Sequence, residues 1–249
     1  MMNKISIITV VYNNVNTIKD AIESVLSQNY KNIEYIIIDG GSTDGTLDVI
    51  KEYEDKIDKY ISEPDKGLWD AMNKGVGLAS GDYIGFLNSD DLFAGKDVVE
   101  KIAQKLQDKD LCSVYGYVDI VDKENISKVI RKYRVKWLNR FTLRLGLMPA
   151  HPSFYCKKSF FERYGGFSLR DDITPDFELM VRFSQKPDFR SECIPEVLIK
   201  MRSGGIGNSS LSYKLGRFRK QARSCRINGI FSHPLLILFK YFYKILEFR

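Results

Sequence analysis

Cysteine and histidine are scarce in this chain, four and two of its 249 residues. Cys112, Cys156, Cys193 and Cys225 stand dozens of residues apart with no Cys-x-x-Cys pair. A zinc site needs clustered thiolates or imidazoles and a stapled domain needs a dense cysteine framework, so both classes are excluded. Glycine is missing from the turn after the first apolar run, Val11-Tyr12-Asn13-Asn14, where a dinucleotide fold needs Gly-x-Gly-x-x-Gly to let a pyrophosphate approach the backbone. The nearest approximation, Gly75-Val76-Gly77-Leu78-Ala79-Ser80, follows a helical pattern and ends in serine, and no P-loop motif occurs. Long apolar runs are missing as well. The stretch from Pro234 to Leu246 is interrupted by Lys240 and Lys244 and is too short to span a bilayer. The run Ile5 to Tyr12 is short, bracketed by polar residues and without a small-residue cleavage site, which reads as a buried strand of a cytoplasmic protein.

What is present is a globular composition, 44% hydrophobic and 12% aromatic, with a formal charge of +6. The charge is unevenly placed. Lys214 to Arg249 holds nine Lys or Arg against the single acid Glu247, a local +8 that leaves −2 on the remainder. A nucleic-acid-binding body spreads basic residues over its fold and interleaves them with stacking aromatics, so that class is excluded here.

β-Branched runs at Ile5–Val11 and Ile33–Ile38 alternate with helix-period segments near 15–28, 45–54, 68–78 and 96–107, and short strands are expected at 59–61 and 83–87. Such alternation predicts an α/β fold with a mostly parallel sheet flanked by helices. After residue 110 the pattern changes to strands at 112–121 and 127–133, a basic aromatic loop, a helix over 174–184 opened by Pro175, and a strand at 194–201. From residue 209 the chain reads as helical and basic.

Ligands bind at the carboxyl ends of parallel strands. Here those ends are polar and acidic: Thr9 to Asn14 after the first strand, Asp39-Gly40-Gly41-Ser42-Thr43-Asp44-Gly45 after the second, and Asn88-Ser89-Asp90-Asp91 after the fourth. Carboxylates at a strand end hold hard cations, or serve as an Asx-capped turn. Ser42 and Asp44 read as local caps for the next helix.

Four stretches in order, Ile7 to Asn13, Glu34 to Thr46, Ser62 to Gly75 and Gly81 to Asp91, resemble the family 2 glycosyltransferases of GT-A (Rossmann-like) fold, in particular the bacterial branch that builds capsule, O-antigen and exopolysaccharide. The resemblance spans roughly residues 3 to 205. It implies that Thr9, Tyr12, Asn13 and Asp39 surround a nucleotide, with Lys66 and Asn73 beside the donor. It implies that Asn88, Ser89 and Asp90 occupy an acidic triplet whose last member, Asp90, binds a divalent metal, Mn2+ or Mg2+. Asn88 departs from the acid of that pattern, which removes one charge from the metal site. The acid-aromatic-acid-Leu pattern matches Asp176-Phe177-Glu178-Leu179 and implies Asp176 as the general base of an inverting transfer; the other reading of Asp176 is an acid complementing a helix N-terminus. Asp70, Asp91, His151, Glu178, Arg182 and Arg202 complete the candidate donor and acceptor contacts, with Arg202-Ser203-Gly204-Gly205 resembling a loop that closes over the diphosphate and Asp171-Asp172 a rival acidic pair.

These readings divide the chain into a catalytic domain over 1–208, with a donor part to about 110 and an acceptor part after it, and a basic amphipathic helical tail over 209–249. The tail, with Lys240 and Lys244 one turn apart and Arg217, Arg219, Lys220, Arg223 and Arg226 upstream, fits an interfacial anchor on an anionic cytoplasmic leaflet; packing on the domain and dimerisation are the alternatives. A second basic stretch, Lys128 to Arg144, carries seven Lys or Arg and no acid around Trp137 and Phe141, and reads as a face for lipid or acceptor phosphate or as a solvated surface. The expected partners are a nucleotide-sugar donor, a UDP-sugar, a saccharide or polyprenyl-diphosphate-linked acceptor, and the inner face of the cell membrane. The alternative from another class is a nucleotide-sugar-binding assembly subunit without turnover.

Overall fold

The computed structural model describes residues 2–204 and 211–240, with backbone alone over 211–215. Gly205, the 208/209 boundary, Lys214's side chain and the tail after Lys240, including Lys244, lie outside the described residues. In chain order the elements are β1 (Ile5–Val11), α1 (Ile18–Leu26), β2 (Ile33–Asp39), α2 (Thr46–Lys51), β3 (Lys59–Ser62), α3 (Leu68–Leu78), β4 (Tyr83–Phe86), β5 (Leu92–Phe93) and α4 (Val98–Lys105). There follow β6 (Ser113–Val121), β7 (Val129–Tyr133), α5 (Arg140–Arg144), a 3₁₀ turn at His151–Ser153, β8 (Tyr155–Lys157), α6 (Lys158–Tyr164), α7 (Pro175–Ser184), β9 (Ser191–Arg202), α8 (Leu211–Ile227) and α9 (Pro234–Leu238).

The strands form one sheet in the order β3-β2-β1-β4-β8-β6-β9-β5, with β7 beside β6. The β3, β2, β1 and β4 strands run parallel, and β8 enters antiparallel between β4 and β6. All seven residues of β1 are buried because helices cover both faces of the sheet. Ile5 and Ile7 face one apolar cluster with α1 and α4, while Ile8 and Val10 face another with α3, α6 and α7. On α1, Ile18, Ala21, Ile22 and Val25 repeat at helical spacing and carry its buried stripe.

At the amino ends of the parallel strands, Glu34 closes the base of the sheet. It accepts hydrogen bonds from Ser6 Oγ (2.5 Å), Ser80 Oγ (2.6 Å), the Ser80 amide (2.7 Å) and Lys59 Nζ (2.9 Å). The opposite end of the sheet is left for polar chemistry.

The tail packs on the body. Ser224 Oγ accepts from the Thr174 amide at 3.3 Å, Asn228 Nδ2 donates to Glu178 at 3.0 Å, and Arg223 pairs with Asp172 at 2.7 Å. Phe218, Ala222, Cys225, Ile230 and Ile237 are buried. Of the three readings of the tail, the described residues therefore show packing on the domain. Lys240, expected on a lipid-facing stripe, is only 7% exposed and donates to Gln221. That expectation is corrected: the ammonium lies inside the tail's own fold, where a polar partner satisfies it. Among the described residues, no helix is long and apolar enough to cross a membrane.

Candidate active site

The first strand-end loops are sewn to one another. Asn13, the one non-glycine residue at positive φ among the described residues (48°), donates its amide to Ser42 Oγ at 2.8 Å and accepts the Thr43 amide on its side-chain oxygen at 2.8 Å. Asp39 is buried at the end of β2 and accepts from both Ser42 and, at 2.6 Å, Ser62. Tyr12, 65% exposed, projects beside Gly40, where a Cβ would lie 3.4 Å from its ring and 2.6 Å from the Asp65 carboxylate. Glycine here keeps open a narrow slot between an aromatic face and an acid. Lys66 is exposed on the neighbouring loop, and Asp70 accepts the Lys66 amide at 3.0 Å, tying that loop to the first turn of α3.

A second cluster forms where the turn after β4 meets the 3₁₀ turn and α7. Asn88 bridges it: Nδ2 donates to Asp91 at 2.8 Å, and Oδ1 lies 3.1 Å from His151 Nε2, which takes the donor role in this pairing. Ser89 accepts Asn14 Nδ2 at 2.8 Å, and its carbonyl accepts Thr17 Oγ1 at 2.9 Å, so the turn is held from the β1–α1 loop. Burial lowers the His151 pKa, while the Asp176 and Asp90 charges act on the same ring in the opposite sense. Asp176, second residue of α7 after Pro175, is buried and receives the Phe177 amide on Oδ1 at 2.8 Å. Burial also raises Asp90 and pushes Asp91 well above the usual carboxylate range, the charge of Asp90 adding to the latter. Trp69 packs edge-on to His151, with centroids 6.3 Å apart, and against Phe167 at 5.3 Å, walling the cluster from the α3 side.

Several residues expected at the site are structural. Thr9 has no exposed surface, and its hydroxyl accepts from Tyr35 at 3.1 Å inside the core. Asn73 uses both amide atoms on the Phe167 backbone, at 2.8 Å each, over a close approach to Gly166. Glu178 is paired with Arg182 at 3.0 Å, and Arg182 also donates to the carbonyls of Tyr164, Gly165 and Gly166, so neither side chain reaches the cleft. Arg202 is buried at the end of β9, donating to the Asp90 carbonyl at 2.9 Å and to Asp20, and is part of a strand instead of a closing loop. Asn13 and Ser89 share this character, since their polar atoms bind neighbouring loops. Asp65, in the stretch expected beside the donor, lines the slot at Gly40. Trp69, Asn14 and Asp20 shape the cleft or brace it and were not singled out from sequence for these tasks; their partners are remote in the chain and leave no local signature.

Among the described residues, no three His, Cys, Asp or Glu side chains form a ready-made metal cage. Asp90 nonetheless suits a divalent ion: among the described residues its half-buried carboxylate receives no hydrogen bond from another side chain, and carboxylate oxygen is the ligand hard cations prefer. Asp91 is less suited, being fully enclosed, with Oδ1 buried and unpartnered.

Comparison with known proteins bears on the family and the fold. The profile of the family described as Glycosyl transferase family 2 matches residues 6–165. An uncharacterized glycosyltransferase of Mycobacterium tuberculosis (strain ATCC 25618 / H37Rv) is 34% identical over 185 residues, covering 72% of this chain and 68% of that protein. An uncharacterized glycosyltransferase of Rickettsia typhi is 32% identical over 209 residues, covering 80% of this chain and 63% of its own length. Among solved structures, the mannosyltransferase PcManGT from Pyrobaculum calidifontis in complex with GDP-Man and Mn2+ superposes with a TM-score of 0.69 at 18% identity, covering 99% of this chain and 71% of that one. S. aureus TarS 1-349 in complex with UDP-GlcNAc gives 0.69 at 15% identity over 96% of this chain and 73% of its own.

Proposed function

The chain belongs to glycosyl transferase family 2 and is a glycosyltransferase of GT-A-like fold, and on that premise we propose that it carries out an inverting, metal-dependent transfer from a nucleoside-diphosphate sugar, a UDP-sugar, to an acceptor hydroxyl of a lipid-linked saccharide in surface-polysaccharide assembly. The observation that carries the reading is that the turn after β4, which bears Asp90, meets the 3₁₀ turn through Asn88, 3.1 Å from His151 Nε2, while Asp176 opens α7 close enough for its charge to act with that of Asp90 on the same ring. Tyr12 and Asp39 on one side of this cluster suit a base and ribose.

Asp176 takes the proton of the acceptor hydroxyl as its oxygen bonds to the anomeric carbon. The bond from that carbon to the diphosphate oxygen breaks on the opposite face, and its electron pair leaves with the nucleoside diphosphate. Pro175 and the start of α7 hold the carboxylate in place, while Trp69 and Phe167 exclude water from one side. Asp90 would hold a divalent ion, Mn2+ or Mg2+, which would supply positive charge to the leaving group. His151, kept neutral by burial and oriented by Asn88, is a polar contact for the diphosphate or acceptor. Residues 1–208 form the catalytic domain in this reading, with the donor part to about 110, and the protein is peripheral to the cytoplasmic face of the membrane.

Calorimetry with UDP and GDP, with and without Mn2+, and transfer assays over a panel of nucleotide sugars test the proposal. Wild-type protein binds a nucleoside diphosphate more tightly with metal and consumes one donor; Asp176→Asn keeps that binding and loses about 100- to 10,000-fold in turnover. Full activity in Asp176→Asn overturns the assigned base, and donor binding without any product in the wild type overturns turnover itself.

A further inference from the structure

Apolar side chains are left in solvent mainly at one place. Of the thirteen large hydrophobic residues exposed among those described, seven lie in two segments remote in sequence: Trp137 and Phe141, and Ile227, Phe231, Leu235, Leu238 and Phe239. The fold brings the segments together. Arg140 donates to the Gly229 carbonyl at 3.1 Å, Ser232 Oγ donates to the Arg144 carbonyl at 2.8 Å, and the Arg144 guanidinium lies 5.6 Å from the Phe231 ring centroid.

The pattern is that of an amphipathic helix turned outward. On α9 and the turn that ends it, Leu235, Leu238 and Phe239 follow the i, i+3, i+4 spacing of one helical face and are 67%, 44% and 58% exposed, Phe231 stands out at 67% from the extended segment before the helix, and Ile237 alone of α9 points fully inward. On α5 the capping box of Asn139 and Thr142 fixes the short helix so that Thr142 and Leu143 are buried and Phe141 stands out at 67%. Beside these apolar tips are exposed Lys136, over the Trp137 ring, Arg140, next to Phe141 and bonded to Gly229, and Arg226, next to Ile227. No Asp or Glu occurs from Val197 to Leu246 or from Asn125 to Phe161.

We propose that this composite face, Trp137 and Phe141 with the α9 stripe, docks the protein on a bilayer of anionic phospholipid. The proposal deepens the peripheral placement given above by naming the surface, and it replaces a free tail anchor with a preformed patch on the folded domain. A cationic rim around aromatic and aliphatic tips matches a layer of phosphates over acyl chains, and such faces bury only the depth of the headgroup boundary. A second copy of the chain would set two cationic rims against each other, which like-charge repulsion disfavours. The face is tied to the reaction centre, since α8 holds the first turn of α7, which bears Asp176, through Ser224 and Asn228.

Sedimentation of the full chain with vesicles tests this, comparing phosphatidylcholine alone with phosphatidylcholine containing phosphatidylglycerol. The wild type binds the anionic vesicles, and added salt weakens binding through the rim. Phe231→Ser/Leu235→Ser and, separately, Trp137→Ser/Phe141→Ser each lower partitioning by about 10- to 100-fold at unchanged melting temperature, because the altered side chains are exposed. Brominated phospholipids quench wild-type tryptophan fluorescence, and Trp137→Phe removes that quenching. Absence of wild-type binding, equal binding by both double variants, or a dimer in solution that Leu235→Ser dissociates would each overturn the proposal. Nucleotide binding measured without lipid separates these outcomes from a failure of the transferase reading.

Discussion

Arg182 provides the sharpest test of which acidic residue near the cleft acts and which only supports. The side chains of Arg182 and Glu178 are 17% and 5% exposed and joined at 3.0 Å, and the same guanidinium serves three backbone carbonyls of the turn after α6. Arg182→Met keeps the aliphatic stem but leaves Glu178 buried with, among the described residues, only Asn228 as a donor. Removing one partner of a buried pair costs about 3–5 kcal/mol, which at roughly 2–4 °C per kcal/mol for a domain of this size lowers Tm by about 6–20 °C. Adding Glu178→Gln removes the orphaned charge while keeping an acceptor for Asn228, so the double variant loses less than the sum of the singles, with a coupling of about 1–3 kcal/mol. Thermal denaturation by circular dichroism reads the stability. Calorimetry with UDP or GDP and Mn2+, at a temperature where every variant is folded, reads the site, and affinity per folded molecule stays at the wild-type value. An unchanged Tm, or lost nucleotide affinity in folded Arg182→Met, would refute the structural assignment and return the pair to the donor site.

Two further outcomes follow from named contacts. Tyr12→Ala removes the exposed ring beside Gly40 and weakens nucleoside-diphosphate binding by about 10- to 100-fold, the scale of one base stacked on an aromatic ring, with Tm unchanged; equal affinity by calorimetry would place the base elsewhere. Glu34 is opposed by its burial, but hydrogen bonds from Ser6, Ser80 and Lys59 outweigh that and hold its folded-state pKa far below the ordinary carboxylate value. A depressed folded pKa contributes stability that is present above the unfolded value and lost as pH falls toward the folded one. The wild-type Tm therefore declines below about pH 5, and Glu34→Gln starts lower at pH 7 and declines less steeply, in melts recorded across the acid range; parallel curves would exclude the network as the cause.

Local chemistry made much of the fold legible. The β1 and β2 runs are β-branched and unbroken because both faces of a parallel sheet are covered, and α3 begins and ends where its pattern predicts, at Leu68 and Leu78. The second half was less legible. β8 is three residues long and wedged antiparallel between β4 and β6, and α6 follows it directly; neither is long enough to show a period. β5 has only two residues and exists because β9 pairs with it. At the site, Asp90 and Asp176 stood out because they fall in the motifs that carry the resemblance, since an acid at a strand end or a helix start also has common structural uses. Thr9, Asn73, Glu178, Arg182 and Arg202 carry the same residue chemistry, yet Glu178 and Arg182 hold each other one turn apart, and the others bind partners at separations from 26 to 182 residues.

Residue order was sufficient for the family, the α/β class and the split between a slightly acidic body and a strongly basic tail, since motif spacing, hydrophobic period and charge are properties of the chain before it folds. Only the tertiary structure decided where the tail goes and which polar residues are free. A side chain becomes a ligand or a brace according to what packs against it, and those neighbours are set by the sheet order and by α8 docking on α7, which no local pattern encodes.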